Sequence, residues 1–124
     1  KISQFCNKIF KGNTVEEIVE NLKNENSDLS KKILSTIKQK SPTSLKVALK
    51  SLRLGKEINF EECMMMEFRM VNKVMNDHDF YEGVRALIID KDNNPNWKPN
   101  KISEVEDSFV DEFFYELDDD LKFN

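Results

Sequence analysis

A helix-starting signal precedes nearly every apolar stripe in this sequence, and that repetition leaves little room for any fold but a helical one. Thr14 and Glu17 form a capping box, in which a hydroxyl and a carboxylate satisfy backbone N–H groups left unpaired by the first turn. Val15, Ile18, Val19 and Leu22 follow as one stripe, ending in the polar run Lys23 to Asn26. Ser27 heads a third helix through Lys40, with Leu29, Ile33 and Ile37 on one face. Ser41 then restarts the pattern, with Pro42 at the first helical position, where its missing N–H costs nothing. Leu45, Ala48, Leu49 and Leu52 are expected to pack inward.

Asn59 with Glu62 opens the longest segment, whose Phe60, Cys63, Met64, Phe68, Val71, Val74 and Met75 mark a broad apolar face. Asp79 is expected to cap DFYEGVRALIID. Ser103 and Glu106 read as a further capping box before Val105, Phe109, Val110, Phe113, Phe114 and Leu117. At the start of the chain, Ile2, Phe5, Ile9 and Phe10 recur at helical steps, closed by Gly12, and Gly55 is read as a second stop. Leu87-Ile88-Ile89 is the one short run open to an extended reading; it continues the spacing from Phe80 and Val84 and is kept helical. The expectation is an all-α chain of six to seven helices, a single helical domain over residues 1–124. The acidic tail 118–124 is expected to be frayed, with Leu121 and Phe123 able to dock.

Composition narrows the function classes. Only three glycines and three prolines interrupt a chain that is 34% charged, with a net charge of −4. The lysines are dispersed among acids and form no basic stripe with interleaved aromatics, so nucleic acid is excluded as a partner. No apolar run approaches the ~18 residues of a membrane span. The sequence opens KISQFCNKIF, without an initiator Met or a leader with a cleavage site, and reads as a piece of something longer that carries no targeting signal here. Cys6 and Cys63 have no second Cys or His at ligand spacing, so both are expected to be free, buried thiols rather than a disulfide or a zinc site.

Few residues suggest chemistry. His78 is the only histidine, flanked by Asp77 and Asp79, and is read as a loop or cap contact. Glu61-Glu62 sits in a first helical turn, where carboxylates favour the positive end of the dipole. Asp90, Asp92 and Asn94 have the spacing of a calcium loop, but Pro95 stands where such a loop needs Gly and Lys101 where it needs Glu, so no metal is expected. Met64-Met65-Met66 reads as adaptable filler between the core and a neighbour. Trp97, between Pro95 and Pro99 and beside Lys98, either closes a small satellite core or offers a flat face near a cation to a nucleotide-like ligand. Nothing assembles a nucleophile, a base and an oxyanion site.

The segment HDFYEGVRALIIDKDNNPNWKP, with FCNKIF–TVEEIVENL, KQKSPTSLKVALKSL and EECMMMEFRMVNKVM before it in the same order, resembles the C-terminal region of 3-hydroxyisobutyryl-CoA hydrolases. These are a branch of the enoyl-CoA hydratase/isomerase (crotonase) superfamily. The resemblance implies the C-terminal helical region of a crotonase-like enzyme of valine catabolism, placed in mitochondria, acting on a CoA thioester with no cofactor. Its oxyanion loop and carboxylates belong to an N-terminal crotonase domain that no segment here matches, so no catalytic residue is carried over and this chain alone is expected to be inactive. By position in the family pattern, Trp97 and Lys98 are implied CoA-binding residues. The expected partner is that N-terminal domain. Uncovered apolar faces, at residues 60–75 and Phe109–Phe114, are expected to drive self-association, as a soluble dimer. The alternative is a self-standing helical protein-interaction module.

Overall fold

The computed structural model describes residues 2–117 and 120, and among these there are seven α-helices and no strand. In order they are α1 (Ile2–Ile9), α2 (Val15–Glu25), α3 (Asp28–Lys38), α4 (Pro42–Gly55), α5 (Phe60–Met75), α6 (His78–Val84) and α7 (Asp107–Asp111). Of the tail 118–124 expected to fray, only Asp120 is described, and it is held by Arg69; Leu121 and Phe123 lie outside the described residues.

Local chemistry sets most boundaries. Thr14 Oγ1 accepts from Glu17 N–H at 3.1 Å, while the Glu17 carboxylate reaches one residue past the cap, to Asn13 N–H at 2.6 Å. Asn59 and Glu62 complete a reciprocal box. Ser27 does the same with Ser30. Ser41 Oγ accepts from Ser44 N–H with Pro42 at the first position of α4. Asn26 ends α2 in the left-handed region at φ 52°, donating to the Leu22 carbonyl, a conformation that Asn tolerates better than most residues.

Two apolar clusters share α4. One buries Ile9, Ile18 and Leu22 against Phe5, Ile33, Leu34, Ile37 and Leu49. The other buries Val47, Val105, Val110 and Phe113 against Met70, Val74, Phe109 and Phe114. Leu49 therefore faces the first cluster and Val47 the second.

Several expectations are corrected. α4 ends at Gly55 as expected, but neither Gly12 nor Gly55 adopts the left-handed conformation. Gly12 is instead required by closeness, since a Cβ there would stand 2.9 Å from Glu17 Cβ. The cysteines are free but not buried: Cys6 is exposed and Cys63 half-buried. No capping box forms at Ser103 and Glu106. Residues Ile102–Glu104 make a separate 3₁₀ turn, and Glu106 precedes α7 without a side-chain bond. Beyond α7 a 3₁₀ turn, Glu112–Phe114, seats Phe113 in the core, so that half of the anticipated exposed apolar surface is spent internally. The α5 half is not, because Phe60 and Val71 stay exposed. Leu52, expected inside, is exposed as well.

Candidate functional site

The Glu-Gly-x-Arg-Ala element lies on α6 and on the π-helical turn Arg85–Ile89 that continues it, closed by Asp90 N–H on the Arg85 carbonyl at 2.8 Å. Each of its residues has a mechanical task. Glu82 accepts from Arg85 Nε at 2.9 Å and Nη2 at 2.7 Å, and from Asn96 N–H at 2.7 Å. Arg85 Nη1 also donates to Asp90 and Asp92, each at 2.8 Å. Ala86 is fully buried, and its carbonyl takes Asn93 N–H at 2.9 Å. Gly83 leaves room for the Trp97 ring, which an added Cβ would approach to 3.3 Å. The carboxylates spaced like calcium ligands are thus occupied by a guanidinium. Among the described residues no group of three or more His, Cys, Asp or Glu side chains could hold a metal ion.

These contacts set the electrostatics. The Arg85 guanidinium, helped by Asn96 N–H, holds the Glu82 carboxyl down at about 2. Asp92 is lowered by Arg85 and by Asn94 N–H, and Arg85 is itself raised by Glu82, Asp92 and Asp90. Elsewhere Arg69 and Asp120 form a two-bond pair, at 2.8 and 3.1 Å, that raises one and lowers the other.

Asp79 was expected to cap α6, but Asp77 occupies that position and Asp79 is buried inside the first turn. There it accepts from Ser41 Oγ at 2.5 Å and from Lys98 N–H at 2.9 Å, and meets His78 Nδ1 at 2.8 Å. One carboxylate ties the start of α4, the start of α6 and the Trp97-Lys98 strap together. Sequence offered no signal for this, because the partners are 38 and 19 positions away. His78, Asp79 and Ser41 stand in a row with the carboxylate in the middle. A nucleophilic serine needs the imidazole beside it, so the row holds structure and does not activate Ser41.

Trp97 Nε1 donates to the Gln39 carbonyl at 3.1 Å, bridging the strap to the end of α3. Lys98 is bound to Asp79 through its backbone, and its side chain is exposed. Beside Trp97 opens a cleft of about 890 Å³, floored by Val47, Val74 and Phe113 and edged by Lys38 and Lys40. Leu87, Ile88 and Ile89 are helical as expected. The spacing that placed Leu87 and Ile88 on an inward stripe fails, because the π turn rotates them outward and all three are largely exposed.

Residues 1–114 match the family described as Enoyl-CoA hydratase/isomerase. Curated relatives named "3-hydroxyisobutyryl-CoA hydrolase, mitochondrial" include proteins from Gallus gallus, 48% identical over 94% of this chain and 30% of their own length, and Homo sapiens, 44% identical over 94% and 31%. The Xenopus laevis protein of that name is 47% identical over 90% of this chain and 29% of its own length. The chain therefore spans about a third of the length of the curated relatives it matches. Among solved structures, an enoyl-CoA hydratase from Rhodobacter sphaeroides superposes with a TM-score of 0.89 at 30% identity, over 98% of this chain and 36% of the other. A carnitinyl-CoA dehydratase from Mycobacterium thermoresistibile gives 0.90 at 27% identity, over 97% and 34%. With its sequence matched from end to near end and its helices superposed on two such enzymes, this all-α chain belongs to the enoyl-CoA hydratase/isomerase family.

Proposed function

We propose that the chain is the C-terminal helical part of a mitochondrial 3-hydroxyisobutyryl-CoA hydrolase of valine catabolism, a thioesterase whose reacting groups lie in a crotonase domain outside these residues. The observation that carries this is the identity of 41–48% to hydrolases of that name, spread over nine-tenths or more of the chain. Consistent with it, the signature element is consumed in holding its own loop and leaves no group poised for chemistry. In the parent enzyme these helices pack on the catalytic domain. Separated from it, the chain self-associates through the apolar faces left exposed.

The test is a chimera in which this chain replaces the matching segment of the Gallus gallus relative. Thiol release from 3-hydroxyisobutyryl-CoA should stay within about tenfold of the parent, a barrier change of roughly 1.4 kcal/mol. The 124-residue chain alone should give the blank rate. A folded but inactive chimera, or turnover by the chain alone, overturns the reading.

Trp97 and Lys98 are further proposed to contact the adenine end of CoA, the indole as a flat apolar face and the exposed ammonium toward phosphate. Trp97 is the only tryptophan, so its emission reports one site. An unchanged spectrum of the 124-residue chain at millimolar CoA counts against this assignment.

A further inference from the structure

α5 carries an apolar stripe on the side turned away from the core. Phe60, Met64, Val71 and Met75 are 76, 40, 56 and 45% exposed. Their spacing of four, seven and four residues confines them to an arc of about 60° along roughly 22 Å of helix. The opposite side of α5 is already engaged: Met66 is buried, Met70 and Val74 pack on the second cluster, and Arg69 and Lys73 pair with Asp120 and Glu112. The basic residues of this helix are therefore drawn inward. What borders the outer stripe is Glu61 on one side and Glu67 on the other, both exposed and without an ion-pair partner among the described residues.

The chain as a whole is more open than a self-contained monomer of its mass. The chain exposes 8920 Å², whereas a monomer of 14.6 kDa is expected to expose about 6,900 Å². The excess, about 2,000 Å², is more than the ~800 Å² that each partner contributes to an interface of standard size. A second copy is a poor occupant for this stripe. Glu67 stands near its midpoint, so antiparallel pairing would set Glu67 near its own mate. The curated relatives, by contrast, have about two-thirds of their length outside the match.

We propose that the outer face of α5 seats an apolar helix flanked by lysine or arginine, supplied by the remainder of the same polypeptide. This rests on the reading of the chain as part of a larger hydrolase, and it names the surface and the chemistry of that junction. Helix against helix is the mode, with the two glutamates choosing the partner's flanks.

Thermal unfolding of Val71→Lys in two settings tests it. In the 124-residue chain the new lysine stays in water and the melting temperature should hold. In the chimera with the Gallus gallus relative it is forced beneath the seated helix, and the melting temperature should drop by several degrees. Glu67→Lys, which lies beyond the first turn where Glu61 favours the helix dipole, should behave the same way. Val71→Lys silent in both settings overturns the seat, and charge reversal silent in the chimera overturns the basic flanks. A dimer of the isolated chain that Val71→Lys dissociates in sedimentation, while Leu87→Lys does not, makes a second copy the occupant and overturns the proposal. Melting is read without turnover, so an inactive chimera that still shows the contrast condemns the hydrolase reading alone.

Discussion

Glu82 holds Arg85 and the Asn96 N–H with one carboxylate, at 2.7 Å to each, so a single side chain closes the strap that carries Trp97 back onto α6. Because its folded pKa of about 2 lies below the ordinary 4.5, this contribution to stability is fully present above pH 4.5 and is lost as the pH falls toward about 2. Acid titration followed by Trp97 emission should show the strap loosening across that window. In Glu82→Gln the transition should shrink and the strap should already be looser at neutral pH. An identical acid profile in the variant removes Glu82 from this role.

Asp79 should be the costliest surface-seeming residue to change. Asp79→Ala leaves the Ser41 hydroxyl and the Lys98 N–H without their acceptor in a buried setting, at about 1–3 kcal/mol for each donor stranded. Denaturant unfolding should register a loss of roughly 2–4 kcal/mol. Combined with Ser41→Ala, the two losses should fall short of their sum by about 1 kcal/mol or more, because the residues are in contact. Simple additivity contradicts the link.

Gly83 is held small by the indole above it. Gly83→Ala gains up to about 1 kcal/mol of helix propensity and presses a methyl on Trp97 at 3.3 Å, so the net change should be within about 1 kcal/mol. Gly83→Val has no such offset: the ring must move, its bond to the Gln39 carbonyl is lost, and its emission should shift to the red. A Val variant with wild-type emission shows that the ring does not depend on the glycine.

Phenylalanines treated alike by periodicity should separate in measurement. Phe113 is 2% exposed and Phe60 76%. Phe113→Ala should cost the isolated chain about 3–5 kcal/mol, and Phe60→Ala should stay within about 0.5 kcal/mol. Equal costs contradict the placement of either ring.

These residues show where sequence reading succeeds. Ser41-Pro42 and Asn59 with Glu62 act within four residues of themselves, and both starts appear where the local pattern puts them. Asp79 and Ser103 carry the same kind of local signal, yet neither caps: Asp79 is claimed by partners far along the chain, and a 3₁₀ turn intervenes after Ser103. The π turn at Arg85 also escapes, since one extra residue per turn leaves the hydrophobic spacing intact while turning Leu87 and Ile88 away from the core. The segment HDFYEGVRALIIDKDNNPNWKP is legible as a signature, and only the geometry explains why Glu82, Gly83, Arg85 and Ala86 stand within it.

The position of α4 as a common wall has a consequence for how the chain comes apart. Val47 and Leu49 are two residues apart on one helix, yet each belongs to a different cluster. Loss of that helix would strip both at once, so heat or denaturant should melt the two halves in a single cooperative step instead of peeling one from the other.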